Sequence, residues 1–356
     1  MSNITTIGID LAKSVFQICG LNQARKKVFN KQVKRKDLLH EILQHPNALI
    51  AMEACGSSHH CARTFAEHGF NVRLIPAQHV KAFVRGNKND ANDALAIAEA
   101  VLRPDLHAVP AKTLEQQDIQ TLLRIRSRYK DARRINANQL RGLLAEYGLV
   151  MPVGINNISK EIPYILEDAE NGLTTIGRQA MALLLAEHHR LTAQIKTFDD
   201  QLKAMAHQHE SAIALMHLRG IGPISALALF ASIGKGNQFK NARQLSAWLG
   251  LVPKHHGTGG KVELSTISKR GNVQLRVLMI HGARTVHNWA ARRDDPLSEW
   301  VKAVAERRGK HKAVVALANK TARMVWVVLN KGVDALPPHY LATSLPCHRI
   351  IQRTNN

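Results

Sequence analysis

Residues 4–33, ITTIGIDLAKSVFQICGLNQARKKVFNKQV, decide the fold. Three runs rich in β-branched and apolar side chains, Ile4 to Ile9, Val15 to Cys19 and Lys27 to Val33, follow one another across short polar breaks. They read as three successive strands. Outward from them, a helix over Lys36 to Leu43 precedes the apolar run Ala48 to Met52. A helix over Ser57 to His68, a strand over Val72 to Ile75 and a helix over Asp90 to Leu102 follow. Three strands and then alternating helices and strands predict an α/β domain with a mixed sheet over residues 1–110.

Beyond it the pattern turns helical. Residues 111–210 read as a helical linker. Between 112 and 141, in a segment that includes YKDARRINANQLRGLL (129–144), eight Lys or Arg face only Glu115, Asp118 and Asp131. Further on, Leu184, Leu191, Phe198 and Met205 recur every seven residues with Ile195 and Leu202 between them, a coiled-coil seam. Such a seam serves an intramolecular helical hairpin or an intermolecular coiled coil equally well. Residues 211–340 form a third, mainly helical unit, where positions 261–325 hold fourteen Lys or Arg against five Asp or Glu. The polar stretch 341–356 reads as a tail.

The whole chain, 356 residues, carries a net charge of +22. An enzyme of small metabolites has no use for such an imbalance, whereas a polyanion does, because each cation meeting a phosphate releases counterions. No apolar run is long enough to span a membrane. The N-terminus has no signal-peptide pattern, so a cytoplasmic, nucleoid-associated protein is expected. Cys19, Cys55, Cys61 and Cys347 are scattered without a C-x-x-C pair, which argues against zinc or a disulfide framework. Aromatic content of 4% leaves backbone contact, not base stacking, as the expected mode of nucleic-acid recognition.

Carboxylates carry the chemistry. Asp10 closes the run IGID and Glu53 closes LIAME, so each follows a strand and stands at a carboxyl end of the sheet. Asp90 and Asp93 open a helix three residues apart, on one face. Four acids converging there need divalent cations, and Mg²⁺ takes oxygen ligands of this kind. Each residue also has a plainer reading: Asp10 as a turn residue, Asp90 as a helix cap, Asp93 as a favourable first-turn acid. Glu53, an acid ending an apolar strand, is the hardest to explain without a partner.

GIDLAKSVF (8–16), AMEACGSSH (51–59) and KNDANDALAIAEA (88–100), in this order and spacing, resemble the RuvC-like, RNase H-fold domain of the DEDD insertion-sequence transposases, the recombinases guided by a bridge RNA (seekRNA). The resemblance implies that Asp10, Glu53, Asp90 and Asp93 are the family's Mg²⁺-binding tetrad, with two ions per site. It extends over about 340 residues through FKNARQLSAWLGLVPKHHGTGGKVELSTISKRGNVQLRVLMIHGA (239–283), which is similar to the family's C-terminal transposase domain. There many relatives carry a nucleophilic serine; the matching residue here is Thr258. A threonine keeps the hydroxyl but restricts its rotamers. Ser265 and Ser268 stand close by as alternatives, the first read as a loop residue and the second as a helix cap, and His255 and His256 receive no role.

Upstream, LRGIGPISALALFASIG (218–234) places Gly220 and Gly222 in a helix-hairpin-helix-like turn, suited either to phosphate contact or to tight packing. The residues expected on nucleic acid are Arg124, Arg126, Arg128, Arg133, Arg134, Gly220, Gly222, Lys261, Lys269, Arg270 and Arg276. The functional expectation is an RNA-guided transposase or recombinase that cleaves and rejoins double-stranded DNA, with a non-coding guide RNA as partner and a homodimer pairing to a tetramer. The rivals are a RuvC-like junction nuclease using metal-activated water, and a non-catalytic nucleic-acid scaffold.

Overall fold

A computed structural model describes residues 3–87, 89–258 and 261–342, with the backbone alone for 255, 256, 258 and 261–264. The chain divides into two compact units, residues 1–114 and 115–356. In the first, strand β1 (Ile4–Asp10) is flanked by an antiparallel hairpin partner, β2 (Val15–Asn22), which in turn pairs with β3 (Lys27–Lys34). On its other side β1 runs parallel to β4 (Leu49–Glu53), and β4 to β5 (Val72–Ile75), giving the order β3-β2-β1-β4-β5. Short helices α1 (Leu38–Leu43) and α2 (Ser58–Glu67) link the strands, and α3 (Ala77–Val80) and α4 (Asp90–Ala100) close the unit.

β1 is covered on both faces, as its nearly unbroken apolar run requires. Ile7 and Ile9 share a core with Phe16, Ile18, Ile42 and Phe65. Gly8 faces α4 so closely that a Cβ would collide with the Ala94 carbonyl and the Ala98 nitrogen. Small residues on both surfaces, Gly8 against Ala94 and Ala98, let helix and strand backbones touch. The thiol of Cys19, fully buried in this layer, has its pKa pushed up to about 11 by burial.

The second unit begins with α5 (Leu114–Ala145) and α7 (Thr175–Gln208), joined through α6 (Ile155–Glu167). α5 and α7 run antiparallel: Tyr129 stacks on Phe198, Arg126 pairs with Asp199, and Asn136 donates to the Leu184 carbonyl. The heptad stripe therefore packs within the chain as one side of a helical hairpin. Buried Met181, Leu185, His188, Leu191, Ile195 and Leu202 form its inner stripe. Ile119, Leu202 and Ala206 belong to the same core as α8 (Glu210–Met216), α9 (Pro223–Ile233), α10 (Ala242–Trp248), α11 (Val273–Ala290), α12 (Pro296–Arg308) and α13 (Lys310–Lys331). The stretch expected as a separate linker thus shares a core with the helices after it.

Around Thr258, and through Ser265 where a loop residue was expected, the chain forms an antiparallel hairpin of β6 (Pro253–Thr258) and β7 (Lys261–Ile267), with Thr258 opposite Lys261. Val262, Leu264 and Ile267 supply the strand character that the neighbouring glycines mask. The Thr258 and Lys261 side chains, like residues 343–356 of the tail, lie outside the described residues.

Candidate active site and nucleic-acid interface

The pairing of β1 with β4 places Ile9 beside Met52, so Asp10 and Glu53 end adjacent parallel strands, both half-buried. A carboxylate there projects from the end of a fully buried apolar run, held by the sheet rather than by a loop. Asp90 and Asp93 occupy the first turn of α4, but the helix cap is Asn89, whose side chain accepts from the Asn92 nitrogen at 2.7 Å. Capping is therefore not the task of Asp90, which stays exposed, while Asp93 is half-buried.

Two polar strand residues, which no motif pointed to, fix that turn. Gln17 donates to the Asn30 side-chain oxygen, and the Asn30 amide donates to the Ala91 carbonyl at 2.9 Å. Gln17 is the register partner of Asp10 on β2. Asn30 and Gly8 together seat α4: the first anchors its opening turn, the second admits its next turn onto β1. The signal was present as two amide side chains on adjacent strands facing a covered layer, where an apolar pair would be ordinary.

All four acids are carboxylates, the oxygen donors that a hard divalent cation takes, so the donor set fits such an ion in chemistry. Among the described residues no three His, Cys, Asp or Glu side chains stand close enough to hold a metal ion. The sheet thus delivers two carboxylates to neighbouring strand ends and two to a helix laid on the same strand.

The basic residues divide by what they touch. On α5, Arg124 and Arg128 are exposed, and Arg134 is exposed with Asp131 3.6 Å away. Arg126 is bound to Asp199 across the hairpin, and Arg133 donates to the Thr192 hydroxyl at 3.4 Å. Arg276 is buried and donates to the Leu249 carbonyl at 3.1 Å and the Arg270 carbonyl at 2.8 Å. It clasps the turn that carries Lys269 and Arg270 to the end of α10, leaving those two side chains exposed. Lys269 adopts a left-handed φ of 54°, and a Cβ on Gly271 would strike the Trp248 carbonyl, so this turn is held tightly.

Gly220 and Gly222 also part ways. Gly220, φ 86°, lies against Gly282 of α11 with no room for a Cβ on either. Its role is packing. Gly222 opens α9 and faces free space, so it alone of the pair offers an accessible backbone. Ser268 does not cap α11, a task done by Asn272; its nitrogen donates to the Val252 carbonyl and its hydroxyl is buried without a hydrogen-bond partner among the described residues. Ser265 is exposed on β7.

Comparison with known proteins adds the family. A transposase model of the DEDD, IS110 type matches residues 7–149, and a model for the IS116/IS110/IS902 transposases matches residues 212–296. The chain is 43% identical over 331 residues to the transposase for insertion sequence element IS1111A of Coxiella burnetii, covering 93% of this chain and 91% of that one. It is 42% identical over 330 residues to a probable family 20 transposase of Pseudomonas aeruginosa, covering 92% and 98%. With the transposase for IS1328 of Yersinia enterocolitica it shares 36% identity over 332 residues, 93% and 98% of the two chains.

Proposed function

The chain belongs to the IS116/IS110/IS902 family of transposases, enzymes that cleave and transfer DNA, and from this premise we propose that Asp10, Glu53, Asp90 and Asp93 hold Mg²⁺, two ions per site, and direct the cleavage. The observation that carries the proposal is the parallel register of β1 and β4, which sets Asp10 beside Glu53 at the end of a buried sheet. The DEDD type of the family is one of divalent-metal enzymes. When bound, Mg²⁺ supplies charge stabilisation at the scissile phosphate. An RNase H-like reading of residues 1–110 draws support from an antiparallel three-strand meander extended by parallel β4 and β5.

The four carboxylates orient the phosphate, and the Thr258 hydroxyl attacks phosphorus. One P–O bond forms to threonine as another breaks; the hydroxyl proton passes to the departing sugar oxygen. A DNA hydroxyl reverses the exchange and releases the threonine, so no bond energy is lost to water. The exposed Arg124, Arg128, Arg134, Lys269 and Arg270 hold backbones, with Lys261 at the same hairpin. Arg126, Arg133, Arg276 and Gly220 act from within the fold. A charge of +22 beside few aromatic residues supports delegation of sequence reading to a guide RNA.

Association of copies, a homodimer pairing to a tetramer, draws support from the tip of the α5–α7 hairpin. There Val150, Val153, Ile176 and Leu183 are 88%, 92%, 78% and 74% exposed.

Asp10→Asn is expected to abolish strand cleavage while DNA binding persists; unchanged cleavage sinks the carboxylate assignment. Denatured wild-type reactions are expected to hold a covalent protein–DNA adduct that Thr258→Val lacks. Cleavage without any adduct means hydrolysis by water, and an adduct surviving in Thr258→Val moves the nucleophile elsewhere. RNA that co-purifies is expected to be a single species, and a random population counts against a dedicated guide.

A further inference from the structure

A further group of basic residues lies outside the runs that sequence motifs pick out. α13 has five Lys or Arg in 22 residues and no Asp or Glu. The segment packed against it, residues 235–248, adds Lys235, Lys240 and Arg243, again with no acid. Two bonds fix that segment to the helix: Trp326 Nε1 donates to the Phe239 carbonyl at 3.0 Å, and Asn330 Nδ2 to the Lys235 carbonyl at 3.4 Å. Between them lies a groove of about 690 Å³ lined by Arg243, Lys320 and Arg323 together with Asn241, Trp326 and Tyr340. Among the described residues no carboxylate lines it.

Several other cations of the second unit have acidic partners. Arg126 has Asp199, Arg219 has Asp295, Arg190 has Glu187 and Lys302 has Glu299. Among the described residues no ion pair involves Arg243, Lys320 or Arg323. Lys320 rests instead on aromatic faces, its Nζ 4.3 Å from the Trp300 ring and 5.4 Å from that of Tyr340. On the neighbouring α12 Glu299 is paired with Lys302, its cap Asp295 is paired with Arg219, and Asp334 follows α13 in a short turn. Like charges converging without counterions repel, and the fold gains nothing from them unless a polyanion lies between.

We infer that this groove is a binding site for a nucleic-acid phosphodiester backbone, with Arg243, Lys320 and Arg323 on consecutive phosphates. Half-buried Trp326 and Tyr340 offer ring surface beside it, which suits a strand with accessible bases. The site is separate from the α5 and hairpin cations, and the inference rests on the reading that the chain handles nucleic acid.

The test uses the full chain and a fluorescent duplex DNA of about 30 base pairs or a single-stranded RNA of about 30 nucleotides, titrated between about 50 and 200 mM KCl. Arg243→Gln with Arg323→Gln is expected to flatten the log K against log salt slope by about 1 to 2, since each phosphate contact contributes about 0.9, and to weaken binding about tenfold at low salt. Loss confined to DNA or to RNA names the source of the backbone; either supports the groove. The double Arg→Lys variant, which restores the charge, is expected to restore the slope. Lys196→Gln with Lys203→Gln, both beside Asp200 on α7, is the control expected to change nothing. A slope unchanged for both ligands overturns the inference. Asp10→Asn, run alongside, separates it from the carboxylate proposal: normal cleavage by Asp10→Asn with a flattened slope in the groove variant removes the latter and leaves the former.

Discussion

At the scale of single residues, one buried and one half-buried group make the second unit sensitive to acid. His188 is buried in the α5–α7 hairpin, and its Nδ1 has no hydrogen-bond partner among the described residues. Burial first, and then the charges of Arg133, His189 and Arg141, hold its pKa below the ordinary histidine value. The folded state therefore keeps His188 neutral, while the unfolded chain takes up a proton near pH 6.5. Stability is full above that pH and declines as pH falls below it toward the depressed folded value. Urea titrations at a series of pH values are expected to show this decline in the wild type and a smaller one in His188→Leu; equal declines refute it. Asp295 titrates lower. Burial alone would raise its pKa, but the hydrogen bond from Arg219 and those from the Ser298 nitrogen and hydroxyl hold it far below the usual carboxylate range. Its stabilisation is present above about pH 4 and lost only as the medium becomes strongly acidic. Asp295 also caps α12 and fixes Arg219, which in turn donates to the His339 carbonyl at 2.9 Å. Asp295→Ala leaves a buried guanidinium without its partner and is expected to cost about 3 kcal/mol, read from the urea midpoint of tryptophan fluorescence.

Among elements, the decisive contact is α4 on β1. Gly8→Val pushes a branched side chain into the helix backbone, so α4 has to lift and carry Asp90 and Asp93 with it. The expected result is loss of strand cleavage and a stability loss of about 2 kcal/mol or more, checked by cleavage assay and by calorimetry; Gly20→Ala, where only the Phe29 ring must give way, is the milder comparison. The strands bearing Asp10 and Glu53 are legible in the sequence because an acid that ends an apolar run breaks the pattern at a strand end. The helix opening at Asp90 is legible from its polar start and apolar sequel. The cap is not, since Asn89 and Asp90 are equally good capping residues and only the backbone turn decides between them. Gly220 looks like a phosphate-binding glycine until Gly282, far along the chain, is seen against it. Arg276 likewise belongs to a basic run by sequence and to the core by structure, because the carbonyls it satisfies come from two separate turns. The partner choice of a heptad seam is equally hidden, as the same stripe suits a neighbour in the chain or in another copy.

For the whole molecule, charge and chromophores divide unevenly between the two units. Residues 1–114 hold fifteen Lys or Arg against nine Asp or Glu, +6; the rest hold thirty-four against eighteen, +16. Most of the electrostatic attraction to nucleic acid therefore belongs to the second unit, and the proposed metal carboxylates to the first. All four tryptophans, Trp248, Trp289, Trp300 and Trp326, and all four tyrosines, Tyr129, Tyr147, Tyr164 and Tyr340, lie in the second unit. Tryptophan fluorescence is consequently blind to the first, whose aromatic rings are phenylalanine and histidine, while calorimetry senses both. An ion that binds only the folded first unit stabilises that unit by about 2.7 kcal/mol at a hundredfold excess over its Kd, enough to raise the melting point of a domain of this size by about 10 °C. Mg²⁺ is thus expected to move one calorimetric transition upward while the fluorescence midpoint stays in place, and Asp10→Asn with Glu53→Gln is expected to abolish the movement. A fluorescence midpoint that rises with Mg²⁺ as far as the calorimetric one, or a shift that survives in the double variant, would place the ion elsewhere and remove Asp10 and Glu53 from its binding.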